Sequence, residues 1–355
     1  MDLNSLGWNA QYSHEFERFA LQGLSPARVW SDQRHIYTII CEQGELAAEV
    51  SGKFRLEAGA KGDFPVVGDW VAVALRYEEG AATIHAVLPR AGLISRRSPG
   101  EKTEQQVVAA NVDTVVIVSG LDHDFNIRRL ERYLVLAWNS GAVPVIVLNK
   151  ADICDEPAER QAEVEAIAPG VAVIATSATR RDGLAALRDR LAPGRTAVFL
   201  GSSGVGKSTL VNALLGEERQ ETGGIREDDS RGRHTTARRE LVLLPGGAIL
   251  VDNPGMREVG LWGGEEDMSG SFSDIESLAA DCRFSDCRHL DEPGCAVRRA
   301  LRDGALHEDR FHGYLKLRRE LSWVESRQNE RLRLEQKKRG KQISRLQKGF
   351  RKDRR

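Results

Sequence analysis

Residues 201–209 (GSSGVGKST) have the residue types and spacing of a phosphate-binding loop. Glycines in the pattern GxxxxGK[ST] let backbone N–H groups turn inward around an anion, and the helix that follows points its positive end at the same place. Lys207 would neutralise the β- and γ-phosphate oxygens of a nucleotide, and Ser208 would ligate Mg²⁺. The residues expected to contact the phosphates are Gly201, Ser202, Ser203, Gly204, Val205, Gly206, Lys207, Ser208 and Thr209.

A second motif, Asn149-Lys150-Ala151-Asp152, follows the apolar run 143–148 and indicates the base. The carboxylate of Asp152 can accept from both N1–H and the 2-amino group of guanine, whereas adenine offers neither donor. Binding adenine would therefore leave a carboxylate unpaired, which costs free energy. The segment Thr176-Ser177-Ala178 follows the next apolar run and suits a backbone N–H directed at guanine O6. Ser177 and Ala178 therefore join the predicted guanine contacts.

Two further segments resemble the switches of GTP-binding proteins. Asp252-Asn253-Pro254-Gly255 fits DxxG, in which Asp252 would hold Mg²⁺ through water and the Gly255 N–H would reach the γ-phosphate. Asn253 stands where Thr is the common residue, and we expect little effect. Between this motif and the phosphate loop lies RGRHTT, in which Thr235 or Thr236 would complete the Mg²⁺ ligands. The sequence leaves open which threonine does so.

The water-orienting residue of these switches is missing from its usual place. Met256 follows the DxxG motif, where many GTPases carry a Gln that orients the attacking water. A thioether cannot orient water, so we expect slow intrinsic hydrolysis or a substitute residue. His234 is the candidate substitute, and the alternative is that His234 only supports the fold of the switch.

The spacing Cys282-x4-Cys287-x-His289-x5-Cys295 supplies three thiolates and one imidazole, a complete tetrahedral set for Zn²⁺. With four protein ligands the site would be structural, one ion per chain, with no open position for catalysis. The surrounding segment is polar and too short for a core of its own, so the metal would supply folding energy. The alternative is three unrelated cysteines and a surface histidine.

The elements that must position these residues follow from periodicity. Apolar strands alternate with helical segments from about 112 to 251, which predicts an α/β domain with a mostly parallel sheet and one antiparallel pair at 241–244 and 248–251. Short β runs between 28 and 89 predict a small barrel of the OB type. Such a barrel suits nucleic-acid binding, and the alternative is a domain that only packs against its neighbour. Helices follow the cysteine cluster.

Composition and charge narrow the class of protein. The chain has 355 residues and a formal net charge of −1, yet residues 310–355 hold 17 Lys and Arg against five Asp and Glu. This basic end suits phosphate-rich RNA, with a solubilising tail as the alternative. No apolar run approaches the roughly 20 residues that span a bilayer. The first ten residues lack a signal-peptide pattern, so we expect a cytoplasmic protein without a membrane partner.

The base-reading motif precedes the phosphate loop, the reverse of the order in ordinary small GTP-binding proteins. With the zinc cluster, this order resembles the RsgA family (also called YjeQ or YloQ) of small ribosomal subunit biogenesis GTPases. The resemblance rests on the motifs NKAD, TSA, GSSGVGKST, GRHTT and DNPGMRE and on the Cys/His cluster. The segments VVGDW at 66–70 and LISRRSPG at 93–100 also resemble that family. The likeness spans about 30–323. It implies a multidomain chain with an OB-fold barrel at 28–98, a circularly permuted P-loop GTPase domain at 99–265 and a helical zinc-binding domain at 266–336. From the residues alone we expect a leader at 1–27 and a basic, disordered tail at 337–355.

The resemblance also implies an activity and a partner. The chain would be a monomeric GTP hydrolase that binds GTP or GDP with Mg²⁺, and binds the 30S subunit and its 16S rRNA late in assembly. The subunit would stimulate hydrolysis. Because the segment that begins at Asp252 runs into the zinc domain, we also expect GTP-ordered switches to set the angle between that domain and the GTPase domain, and hydrolysis to release the RNA. One alternative is a nucleotide-gated RNA-binding module whose hydrolysis is incidental. Another is a P-loop kinase or ATPase with a zinc appendage, against which Asp152 argues.

Overall fold

The computed structural model describes residues 2–33, 36–97, 105–217, 239–252, 268, 271–290, 292–308, 310–323 and 325–326. The chain divides into two compact units. The first joins Met1–Arg96 to Gln105–Gly260, and the second joins Arg97–Glu104 to Leu261–Arg355. No helix among the described residues is long and apolar enough to cross a membrane.

The N-terminal segment packs on the first β structure through aromatic rings. Helix α1 (Ala10–Ala20) begins after Asn9, whose side chain accepts the N–H of Tyr12, an ordinary N-cap. Trp8, Tyr12 and Phe16 cluster around the buried Trp70, and the Trp8 and Trp70 ring centroids lie 4.7 Å apart edge to face. These contacts tie the segment to the barrel that follows.

A closed five-stranded barrel follows α1. Its elements are β1 (Ser25–Gln33), β2 (Ile36–Cys41), β3 (Gly44–Val50), helix α2 (Gly52–Glu57), β4 (Trp70–Arg76) and β5 (Ala81–Val87). Neighbouring strands pair in the order β1-β2-β3-β5-β4, and β1 also pairs with β4, which closes the barrel. All pairs are antiparallel except β3 with β5, which is parallel. Val29, Ile39, Val71 and Ile84 fill the interior. The predicted OB-type barrel is confirmed.

The α/β part has the predicted mostly parallel sheet. It follows a two-stranded sheet of β6 (Leu93–Arg97) and β7 (Gln105–Ala110). The elements are β8 (Thr114–Gly120), α3 (Ile127–Asn139), β9 (Val143–Asn149), α4 (Pro157–Ile167), β10 (Ala172–Ala175), α5 (Leu184–Arg188), β11 (Thr196–Leu200), α6 (Lys207–Leu215), β12 (Arg239–Leu243) and β13 (Ile249–Asp252). The strands lie in the order β10-β9-β8-β11-β13-β12, with β12 and β13 antiparallel as predicted. Strands β8 and β11 are buried along their whole length.

The barrel and the α/β sheet share strands and a buried arginine. Strand β12 pairs with β1, which extends one sheet through both parts to 11 strands. Arg28 is 1% exposed, and it donates to the Leu6 carbonyl and, at 2.6 Å, to Thr196 Oγ1 at the start of β11. Burial lowers the pKa of Arg28 to about 10, so the guanidinium stays charged at neutral pH. One side chain thus joins the N-terminal segment, the barrel and the strand that leads to the phosphate loop.

The second unit is small and helical in its described part. Helices α7 (Ser273–Ala280) and α8 (Ala296–Arg302) flank the cysteine cluster, and residues 310–323 are also helical. Arg310 stacks over the Phe272 ring and forms an ion pair with Asp274 at 3.0 Å. This unit matches the predicted helical C-terminal domain.

Candidate nucleotide site and metal centre

The parallel strands bring the sequence motifs to one edge of the sheet. Strands β8, β9, β10, β11 and β13 run parallel, so the loops after them meet at the carboxyl edge, the usual ligand site of such sheets. The guanine motif follows β9, Thr176–Ala178 follows β10, and the phosphate loop follows β11. Asp252 is the last residue of β13. Residues far apart in the sequence therefore share one edge.

The phosphate loop depends on glycine at two positions. Gly201 and Gly206 have φ angles of +154° and +92°, a region that L side chains rarely adopt. A Cβ at Gly201 would overlap the carbonyl of Val118, and a Cβ at Gly206 would overlap the side-chain amide of Asn149. The loop packs closely on its neighbours at both points, so its backbone shape is fixed by contact and by glycine together.

Lys207 carries its charge into the concave side of this loop. It is the first residue of α6, and its Nζ donates to the carbonyls of Gly201 at 2.8 Å and Ser202 at 2.6 Å. The N–H groups of the first turn of α6 lie at the same end of the helix, which favours an anion there. Ser208 and Thr209 follow in this first turn and are half-buried. The arrangement is that of an anion site.

Asn149 holds three loops of the site together. Its side chain is 2% exposed. Nδ2 donates to the carbonyl of Val205 in the phosphate loop at 2.8 Å. Oδ1 accepts from the N–H of Ala178 at 3.1 Å and from the hydroxyl of Thr176 at 3.2 Å. One amide therefore fixes the distance between the guanine motif and the phosphate loop.

Asp152, the predicted guanine contact, is ionised, which is the form that guanine recognition would require. A hydrogen bond from Ser177, together with the nearby charge of Arg180, lowers the pKa of Asp152, so the group is ionised at neutral pH. The N–H of Ser177 donates to Asp182 O at 3.1 Å, and that of Ala178 donates to Asn149. Both N–H groups therefore already have an acceptor, but an N–H can be shared between two acceptors. The predicted contact of Ser177 and Ala178 with guanine O6 is compatible with these bonds and stays a prediction.

Two aspartates outside the recognised motifs also contact the loops of the candidate site, and the sequence analysis did not identify them. Asp122 and Asp124 follow β8, and they reach Lys150 and Ser202 respectively. Burial opposes ionisation of Asp122, but hydrogen bonds from Lys150 and from the Asp124 N–H outweigh it and lower the pKa of Asp122. Their position in the sequence could have indicated them. They follow β8, an apolar parallel strand, and its carboxyl end lies at the same edge of the sheet as the other loops of the site.

The remaining predicted switch residues are not placed. His234, Thr235, Thr236, Gly255 and Met256 lie outside the described residues, as does the basic tail 337–355. Their roles stay predictions.

The four predicted metal ligands come together in the second unit. The ligand atoms of Cys282, Cys287, His289 and Cys295 all lie within 4.8 Å of one another. Cys282 Sγ is 3.8 Å from Cys295 Sγ and 3.6 Å from His289 Nδ1, and Cys295 Sγ is 3.5 Å from His289 Nδ1. Tetrahedral zinc with ordinary bond lengths requires about 3.8 Å between two sulfurs and about 3.6 Å between sulfur and nitrogen. The cluster can hold a metal, and its spacing fits zinc.

The electrostatics of the cluster agree with this fit. Burial, with the charge of Arg318, lowers the pKa of His289, which leaves the imidazole neutral at pH 7, the form that coordinates a metal. Burial opposes the Cys282 thiolate, but hydrogen bonds from the N–H groups of Ala296 and Val297 outweigh it and lower the pKa of Cys282. The first turn of α8 therefore stabilises a thiolate ligand.

Comparison with known proteins agrees with the geometry. The family model described as RsgA GTPase matches residues 87–262. The chain is 47% identical over 336 residues to the "Small ribosomal subunit biogenesis GTPase RsgA" of Opitutus terrae, covering 92% of each chain. It is 43% identical over 361 residues to the protein of that name from Syntrophotalea carbinolica, covering 99% of each.

Two solved structures share the fold. YjeQ from Thermotoga maritima is similar with a TM-score of 0.64 and 30% identity, over 84% of this chain and 98% of that chain. YloQ, described as a circularly permuted GTPase, is similar with a TM-score of 0.61 and 25% identity, over 84% of this chain and 95% of that chain. The permuted order of motifs therefore coincides with a known permuted fold.

Proposed function

Because this chain belongs to the RsgA family of GTPases and is a GTP hydrolase, we propose that it binds the 30S ribosomal subunit late in its assembly. In this proposal the subunit stimulates GTP hydrolysis, and hydrolysis releases the protein from the subunit. The observation that carries the nucleotide part is the tethering of the guanine motif to the phosphate loop by Asn149. The relatives' name carries the ribosomal part.

The proposed roles follow from position. Asp152 accepts from guanine, and the backbone of the phosphate loop donates to the phosphates, with Lys207 countering their charge. Ser208 and Asp252 would hold Mg²⁺, which neutralises charge on the β- and γ-phosphates when it is bound. In the two switch segments, Thr235 or Thr236 would complete the Mg²⁺ ligands and the Gly255 N–H would reach the γ-phosphate, with His234 as a candidate to orient water.

The second unit supplies a structural zinc site in this proposal. Cys282, Cys287, His289 and Cys295 would bind one Zn²⁺ per chain, with all four positions filled by protein. The barrel and the basic C-terminal residues would contact 16S rRNA, since positive charge attracts the phosphate backbone. The protein would act as a cytoplasmic monomer.

Cosedimentation with purified 30S subunits tests the ribosomal part. The proposal expects tight association with a non-hydrolysable GTP analogue and weak association with GDP, and equal association with both would contradict coupling of release to hydrolysis. A Lys207→Ala protein should also fail to restore 30S maturation in cells that lack the native protein. Full rescue by that variant would instead favour an RNA-binding module whose hydrolysis is incidental.

A further inference from the structure

The loop between β8 and α3 carries an aspartate that reaches the guanine motif. Asp122 Oδ2 lies 2.5 Å from Lys150 Nζ, and the Asp122 side chain is 12% exposed. Its other oxygen accepts the N–H of Asp124 at 3.1 Å, which fixes the carboxylate within its own loop. The carboxylate of this ion pair is therefore mostly buried and is held at both oxygens.

This ion pair acts on a backbone position that needs support. Lys150 has a φ angle of +65°, the left-handed region that side chains other than glycine adopt only at a cost. The turn Ala151–Ile153, which includes the base-reading Asp152, begins directly after it. By holding the Lys150 side chain, Asp122 holds the backbone from which Asp152 projects.

A second aspartate of the same loop reaches the phosphate loop. Asp124 Oδ2 accepts the hydroxyl of Ser202 at 2.6 Å. Arg129, in the first turn of α3, pairs with the same carboxylate at 2.8 Å and also donates to the Asp124 carbonyl. Ser202 is thereby tied through Asp124 to helix α3.

The pairing of both aspartates with cations explains how they can lie beside an anion site. An unpaired carboxylate near bound phosphates would weaken binding by repulsion. Asp122 is paired with Lys150 and Asp124 with Arg129, so each negative charge is compensated locally. With their charges compensated, the two carboxylates act on the site through the hydrogen bonds that hold the neighbouring loops in place.

We propose that Asp122 and Asp124 are positioning residues for guanine nucleotide, Asp122 acting through Lys150 on base recognition and Asp124 acting through Ser202 on the phosphate loop. One loop, which contains none of the recognised GTPase motifs, thus sets both halves of the site. The inference rests on the proposed guanine-nucleotide site and adds two residues to it.

The test compares binding of GDP and of IDP, which lacks the 2-amino group of guanine, to the full chain and to Asp122→Asn and Asp124→Asn. Asp122→Asn should weaken GDP binding about tenfold and lower the preference for GDP over IDP, because Asp152 is less well placed. Asp124→Asn should weaken both nucleotides in parallel. Equal loss of selectivity in both variants, or no loss of affinity in either, would overturn the assignment.

A matched control lies at the other end of the same strand. Asp113 precedes β8, pairs with Arg195 at 2.7 Å and accepts the N–H of Thr196 at 2.8 Å. Asp113→Asn removes a more exposed ion pair at the amino edge of the sheet and should leave both affinities within about twofold of wild type. If it weakens GDP as much as Asp122→Asn does, general destabilisation explains the effect and the proposal fails.

A double-mutant cycle tests whether Asp122 acts through Lys150, and Lys150→Met alone tests the same ion pair if Asp122→Asn fails to fold. Lys150→Met cuts the same ion pair from the other side, and adding Asp122→Asn to it should cause no further loss of GDP affinity. Additive losses would refute action through Lys150. If the wild-type chain binds no guanine nucleotide, the proposed function fails together with this inference. If it binds GDP and the variants match it, only the inference fails.

Discussion

Replacing Asn149 by Asp tests whether the guanine motif and the phosphate loop act as one site. The change keeps the side-chain shape and the acceptor for Ala178, but it exchanges the N–H that faces the Val205 carbonyl for an oxygen. An unsatisfied buried carbonyl costs about 1–3 kcal/mol. We take about 2 kcal/mol of this cost as lost stabilisation of the phosphate loop in its binding arrangement. The fraction of molecules able to bind GDP then falls, and the Kd for GDP rises about 30-fold.

Asn111→Asp is the matched control for this substitution. Asn111 is also a buried amide, with Nδ2 donating to Gly68 O at 3.0 Å and Oδ1 accepting from Ala91 N at 2.9 Å, but it precedes β8 and lies at the opposite edge. Both variants should lose about 4–8 °C in melting temperature. Only Asn149→Asp should bind fluorescent GDP more weakly. Affinity within about threefold of wild type for Asn149→Asp, or an equal loss in Asn111→Asp, would refute the reasoning.

Three further changes have expected outcomes. Gly206→Ala should raise the Kd for GDP at least about tenfold, because the added Cβ overlaps the side-chain amide of Asn149. Gly204→Ala, also at positive φ but facing open space, should weaken GDP binding far less, and titration with labelled GDP compares the two variants. Asp152→Asn should turn the base preference from GTP toward XTP by about 100-fold or more, since xanthine presents an acceptor where guanine has its amino group; competition binding measures the ratio. Cys295→Ser should lower bound zinc well below one ion per chain by elemental analysis and weaken folding of the second unit, while Cys154→Ser keeps its zinc.

The sequence was sufficient for the features that depend on local patterns. The order of strands and helices, the antiparallel pair and the Cys/His spacing each follow from residues close together in the chain, and the structure confirms the resulting fold class. Strand β8 was also recognisable from its apolar run, because a strand buried on both faces shows a continuous apolar stretch instead of alternating apolar and polar residues.

Contacts between residues far apart in the sequence could not be predicted from local patterns. The join of β12 to β1 links segments about two hundred residues apart, and no periodicity in either strand specifies its partner. Nothing in the sequence marks Arg28 as a buried cation, because its partners Leu6 and Thr196 come near it only in the folded chain. Asp122 and Asp124 were missed for the same reason, since their partners follow other strands and meet them only at the shared carboxyl edge.

Hydrolysis of GTP by the purified chain, measured with and without purified 30S subunits and with ATP as the control substrate, tests the central claim most directly. The account predicts slow turnover alone, strong stimulation by 30S and no use of ATP. Such a result would support the base preference of Asp152 and the ribosomal partner together. Equal hydrolysis of ATP, or a rate of GTP hydrolysis unchanged by 30S, would contradict the account.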